Sequence, residues 1–137
     1  ELADKMRREE GFGILSKKLI EKMQDGKNYV VGNIRNPGEV DEMKGMKDFV
    51  LVKIEASQEV RFGRMKMRQR ESDPMSWGEF LKLDEKDFGK KEEEHGQQHW
   101  KVFEMADHVL ENNFGEKEFR EEVENFLNEL NSWEICK

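Results

Sequence analysis

Cysteine is almost absent: the 137-residue chain holds one, Cys136. A single thiol beside the end closes no internal disulfide and builds no thiolate metal site. Its plain reading is a free thiol without function, which fits a reducing compartment. Proline is nearly as scarce, at two residues, and both Pro37 and Pro74 read as breaks between elements. No apolar run approaches the roughly 20 residues that span a bilayer. The longest β-like run is Phe49-Val50-Leu51-Val52. The opening Glu1-Leu2-Ala3-Asp4-Lys5 does not read as a secretory leader. The expected compartment is therefore the cytoplasm, with no membrane partner.

Charge is what the chain has in quantity. Charged residues make up 40% and hydrophobic residues 35%, mean hydropathy is -0.98, the formal net charge is -7 and the pI is about 5.2. Such a load can signal disorder, yet the apolar residues fall in periodic groups, so a folded domain with a very polar surface is expected. The acidic surplus argues against broad nucleic-acid binding, which needs cations against phosphate. The length favours one domain, residues 1–137, with one core.

Residues 2–23 read as helix interrupted at Gly11-Phe12-Gly13; after the break Leu15, Leu19, Ile20 and Met23 fall on one face. Asp25-Gly26 is a turn. Tyr29-Val30-Val31 reads as a short, wholly apolar strand of the kind buried in a parallel sheet. Pro37 opens a short helix to about residue 46. Residues 49–54 are the strongest strand, and Ser57 caps a helix that runs to about residue 70. Ser76 and Glu79 form a capping box, and Trp77, Phe80, Leu81 and Phe88 make the inner face beyond it. Lys90-Lys91-Glu92-Glu93-Glu94 reads as a solvated helix turn. His108-Val109-Leu110 is the third strand. Phe119, Val123, Phe126, Leu127 and Leu130 mark the last helix. Strands alternating with helices imply an α/β fold with parallel pairing. Three strands are few for a sheet covered on both faces, and the core looks incomplete on its N-terminal side.

Arg35 follows the first predicted strand, at the edge where open α/β sheets bind ligands. Its planar fork suits a phosphate, though a surface arginine in a turn reads equally simply. Arg61, Arg64, Lys66, Arg68 and Arg70 place five cations in ten residues with no acid between them. Arg61, Arg64 and Arg68 are spaced i, i+3, i+7 and share a helix face. Both a clamp that stabilises charge on a phosphoryl group and a solvated basic helix balanced by Glu71 and Asp73 stay open. His95 and His99 have the i, i+4 spacing of two metal ligands, but no third ligand is fixed by spacing, so no metal is expected. The methionines, Met43, Met46, Met65 and Met67 among them, read as adaptable packing.

Five stretches, in order, carry a resemblance. They are Val30-Val31-Gly32-Asn33-Ile34-Arg35-Asn36-Pro37-Gly38-Glu39-Val40; Val60-Arg61-Phe62 to Arg64; Arg68-Gln69-Arg70-Glu71-Ser72-Asp73-Pro74; Glu79-Phe80-Leu81 to Asp84-Glu85; and Gly96-Gln97-Gln98 with Met105-Ala106-Asp107-His108-Val109-Leu110-Glu111-Asn112. Together, over about residues 9–130, they resemble the P-loop nucleotide kinases of the dephospho-CoA-kinase-like and adenylate-kinase-like kind. The resemblance implies a three-layer parallel sheet with flanking helices and a helical lid over about residues 61–100. It implies that Arg35 and Asn36 meet the acceptor phosphate, that Arg61, Arg64, Arg68 and Arg70 act catalytically from the lid, and that Asn112 lies near a nucleotide base.

Two departures shape the expected function. No G-x-x-x-x-G-K-[ST] loop occurs, so the strand, phosphate loop and helix that open such kinases are missing from this chain. Gly32 stands where the family's motif has a metal-placing aspartate. The expectation is a degenerate, non-catalytic domain: a nucleotide- or anion-binding module, or a protein-assembly module with a homo-oligomer or partner at the incomplete sheet. The alternative is a fragment of an active nucleotide kinase whose phosphate loop lies upstream, and only that alternative brings ATP and Mg²⁺.

Overall fold

The computed structural model describes residues 2–68, 70, 73–74, 76–89 and 97–135. The Lys90–Glu94 charge run, His95, Gly96 and Cys136 lie outside the described residues, as do Gln69, Glu71 and Ser72 of the basic stretch.

The chain opens with α1 (Leu2–Glu10) and α2 (Ile14–Ile20). The break between them falls at the expected glycine, Gly11, whose φ of 103° is a left-handed conformation that side-chain-bearing residues rarely adopt. Helix α3 (Pro37–Met43) starts at Asn36, whose side-chain oxygen accepts from the Gly38 N–H at 2.9 Å. Pro37 occupies the first turn, where no amide hydrogen is needed. The close approach of α2's entry to α3 depends on Gly38: a Cβ there would sit 2.5 Å from the Phe12 Cβ.

Strand β1 (Val52–Glu55) leads into α4 (Gln58–Arg68), capped by Ser57, whose hydroxyl accepts from the Val60 N–H at 3.3 Å. Helix α5 (Trp77–Phe88) carries the expected capping box between Ser76 and Glu79, and Gly89 ends it with φ 77°. Helix α6 (His99–Glu104), strand β2 (His108–Glu111) and the long α7 (Glu116–Ile135) follow. The two strands pair in parallel, with Val52 opposite His108 and Glu55 opposite Glu111. Asp107 fastens the start of the pair by accepting from the Leu51 N–H at 2.8 Å. The α/β class stands.

The expected three-stranded, three-layer sheet does not appear among the described residues. The sheet has two strands, and Tyr29-Val30-Val31 belongs to neither. Val30 is fully exposed and Tyr29 45% exposed. Among the described residues no backbone–backbone hydrogen bond involves residues 27–34. The apolar run has strand propensity, but a strand exists only through a neighbour's ladder, and no segment among the described residues pairs with it.

The core is small. Val40, Leu51 and Val102 form its centre, with Ile34, Phe49, Met105 and Ala106 packed against them. Phe80 is buried and joins Phe62 and Trp77 in an aromatic group with centroids 5.2–5.3 Å apart. Trp77 and Phe88, expected on the inner face of α5, are each 38% exposed. A buried ion pair ties α1 to α3: Arg7 donates to the Glu39 Oε1 through Nε at 3.1 Å and Nη2 at 2.8 Å. Arg7 carried no signal in the sequence, and Glu39 stood there only as part of the Val30–Val40 stretch. Among the described residues no helix is long and apolar enough to cross a membrane.

Candidate functional site

The carboxyl ends of β1 and β2 lie side by side because the pair is parallel, and the chain leaves both strands there. The Asn112 N–H donates to the Glu55 carbonyl at 2.7 Å, and the Asn113 side-chain oxygen accepts from the Ser57 N–H at 2.7 Å. These bonds hold the start of α4 against the turn after β2. Nearly two helical turns into α4, Arg64 reaches over this edge. Its Nη2 donates to the Asn112 Oδ1 at 3.0 Å and to the Phe114 carbonyl at 2.8 Å. Two of the residues singled out from sequence, 48 positions apart, thus meet where ligands bind in open α/β sheets.

The neighbouring cations are in a different state. Arg61 pairs with Asp84 of α5, Nη2 to Oδ2 at 2.9 Å, and donates from Nε to the Ala56 carbonyl at 3.1 Å. Its guanidinium also lies 5.6 Å from the Phe80 ring centroid. Burial pushes the Asp84 carboxyl up, but hydrogen bonds from Arg61 and Gln58 outweigh it and hold the group below the ordinary aspartate value. Arg68 makes a forked pair with Asp73 at 2.8 and 2.7 Å. That fork draws the Asp73 carboxyl below its usual range. Arg70 is exposed, and its backbone N–H donates to Asp73 at 3.2 Å. The shared helix face expected for Arg61, Arg64 and Arg68 is real, but two of the three charges are already answered by carboxylates. Arg64 is the one whose hydrogen-bond partners are neutral. The acids that answer the others, Asp84 and Asp73, lie in a following helix and turn, and only Asp73 had been linked to the basic stretch from sequence.

Arg35 belongs to a second group. Its N–H donates to the Glu39 Oε2 at 2.9 Å, its carbonyl accepts from the Gln98 N–H at 2.8 Å, and its Nη1 donates to the Gln97 Oε1 at 3.0 Å. Glu39 therefore grips Arg7 with one oxygen and the Arg35 backbone with the other. Asn36 is buried and caps α3, which turns its side chain to the helix rather than outward. His99 completes this group. Its Nε2 is buried without a hydrogen-bond partner among the described residues. Burial, and then the positive charge of Arg35, push the imidazole below its ordinary value against the opposing pull of Asp87 and Glu39. His95, the other member of the i, i+4 histidine spacing, lies outside the described residues. No bond among the described residues links the Arg35 group to the Arg64 group.

The architecture is thus an α/β unit with one short parallel pair and a basic side chain over its carboxyl edge. No family model matches the chain. It is similar to a UPF0200/UPF0201 protein of Archaeoglobus fulgidus, 35% identical over 137 residues, which covers 94% of this chain and 40% of that protein. A UPF0200 protein of Pyrococcus horikoshii is 32% identical over 110 residues, covering 76% of this chain and 54% of its own length. A third, from Hyperthermus butylicus, is 29% identical over 133 residues, covering 94% and 67%. The chain spans about half the length of the first of these curated relatives. These names correct the resemblance drawn from short motifs: the relatives are named as UPF0200 or UPF0200/UPF0201 proteins, not as nucleotide kinases. The motifs are short, whereas these similarities cover 76–94% of the chain.

Proposed function

We propose that this chain is an anion-binding module whose ligand is a small phosphate-bearing molecule, a nucleotide among the candidates, held over the carboxyl edge of the parallel pair. The observation that carries the reading is Arg64: a guanidinium bound to the neutral oxygens of Asn112 and Phe114, beside arginines that carboxylates already neutralise. A guanidinium held by neutral acceptors keeps its full charge for an incoming oxyanion, and charge-assisted bonds to it are roughly twice as strong as neutral ones. Arg70, exposed at the end of the same basic stretch, can add a second cation.

The test is thermal protection by inorganic pyrophosphate. Ligand at about 100 times its Kd should add ~2.7 kcal/mol to stability. The Arg64→Gln variant should lose that protection while keeping its unliganded melting temperature. Equal protection of both proteins would remove the site from this edge.

A second reading has its own support. The unpaired run at residues 27–34 favours an assembly module whose open strand is completed by a protein partner, since an exposed apolar strand is a template for pairing. Protection of those amides from exchange in a complex is the expected sign.

A further inference from the structure

His99 is the first residue of α6, and its Nε2 is buried with no hydrogen-bond partner among the described residues. Helices α3 and α5 pack against α6. Charged groups act on the ring from Arg35 in the turn before α3, from Glu39 on α3 and from Asp87 on α5. Glu39 is buried and already committed: its Oε1 accepts from Arg7 and its Oε2 from the Arg35 N–H. Asp87 is exposed. Arg35 holds the start of α6 by two bonds. Its carbonyl accepts from the Gln98 N–H at 2.8 Å, and its Nη1 donates to the Gln97 Oε1 at 3.0 Å. The helix on the other side of this junction is weak: it is six residues long, and Gln98 at its cap position makes no side-chain cap bond.

We propose that this junction is an acid-sensitive latch: protonation of His99 parts the Gln97–His99 segment from Arg35 and opens the start of α6 while the rest of the fold stays closed. A neutral ring suits a buried seat. An imidazolium there places a charged N–H where no acceptor answers it, beside a guanidinium of like charge. Glu39 cannot turn to it without releasing Arg7 or the Arg35 backbone. That same bond to Glu39 pins the Arg35 backbone, so the side that yields is the short helix. Once the ring reaches water, Asp87 is a surface carboxylate for it to meet. Proton uptake and opening are linked. Burial and Arg35 hold the closed-state imidazole below its ordinary 6.5, so the open form takes the proton first and opening grows as pH falls through 6.5.

Native-state hydrogen exchange followed by NMR from about pH 7.5 to about pH 5, at low urea concentrations below the unfolding transition, tests this. After correction for intrinsic exchange, the Gln98 N–H should lose protection by up to about tenfold per pH unit below the ordinary histidine value. That loss should be insensitive to urea, because a local opening exposes little surface. In His99→Phe, which keeps an aromatic ring in the seat, Gln98 protection should stay flat across the range. Asp87→Asn, an exposed change, should move the onset to lower pH. A urea slope at Gln98 equal to that of the global transition overturns the latch, since the amide then exchanges only by whole-chain unfolding. A pH-dependent loss that persists in His99→Phe overturns it, as does a ring that titrates while Gln98 protection holds. An onset that Asp87→Asn leaves unmoved overturns it as well, so the test stands even if His99→Phe does not fold.

Discussion

Arg61, Arg64 and Arg68 share one face of α4 and end in three electrostatic situations. Helical spacing decides that they are neighbours; it says nothing of what the rest of the chain brings to them. Asp84 comes from α5, 23 residues on, so its pairing with Arg61 is a tertiary fact, whereas Asp73 is five residues from Arg68 and was legible in the sequence. The Arg61–Asp84 pair is partly exposed, so its net worth is modest. Asp84→Asn should cost on the order of 1 kcal/mol at neutral pH. The Asp84 carboxyl is depressed in the folded chain from a starting value of 3.8. Its contribution is present above that value and lost as pH falls through the lower, folded one. Urea titrations at about pH 7 and about pH 3 should therefore show a smaller acid loss in Asp84→Asn than in the native chain. His99 acts in the opposite part of the scale. Burial, helped by Arg35, lowers it from 6.5, so the unfolded chain takes up the proton more readily. Stability should fall as pH drops through and below 6.5. His99→Gln should remove that part of the pH dependence, read as the urea midpoint across the same interval.

At the scale of elements, what was legible in the sequence is what local chemistry controls. Ser76 and Glu79 announced the start of α5 and form the reciprocal cap, at 3.2 and 3.0 Å. Asn36-Pro37 opens α3, Ser57 caps α4, Gly11 divides α1 from α2, and His108-Val109-Leu110 lies in β2. Ser76→Ala should therefore destabilise the chain by ~1 kcal/mol, measured by chemical denaturation. The strand expected at Tyr29-Val30-Val31 failed for the complementary reason: its residues favour a pleated surface, but pairing is a property of two segments. The Arg7–Glu39 pair, 32 residues apart and buried at both ends, was equally out of reach, because charged residues on helix faces usually read as solvated. Of the candidate site, Arg64 and Asn112 were singled out for separate roles, and their contact was not anticipated. Nor was the grouping of Arg35 with Gln97, Gln98 and His99, apart from Arg64.

The whole molecule carries a net charge of -7 and a core centred on three buried residues, Val40, Leu51 and Val102. It spans about half the length of its first curated relatives. On such an acidic chain a guanidinium held by neutral oxygens, as Arg64 is, must draw an oxyanion in against the overall field. Screening that field with salt weakens the repulsion and the attraction together, so charge at Arg64 itself, rather than the net charge, has to decide binding. Calorimetric titration of pyrophosphate into the native chain, Arg64→Gln and Arg68→Gln addresses this most directly. The account predicts saturable heat for the native chain and for Arg68→Gln, and none for Arg64→Gln. Equal binding by all three, or loss in Arg68→Gln alone, would contradict it.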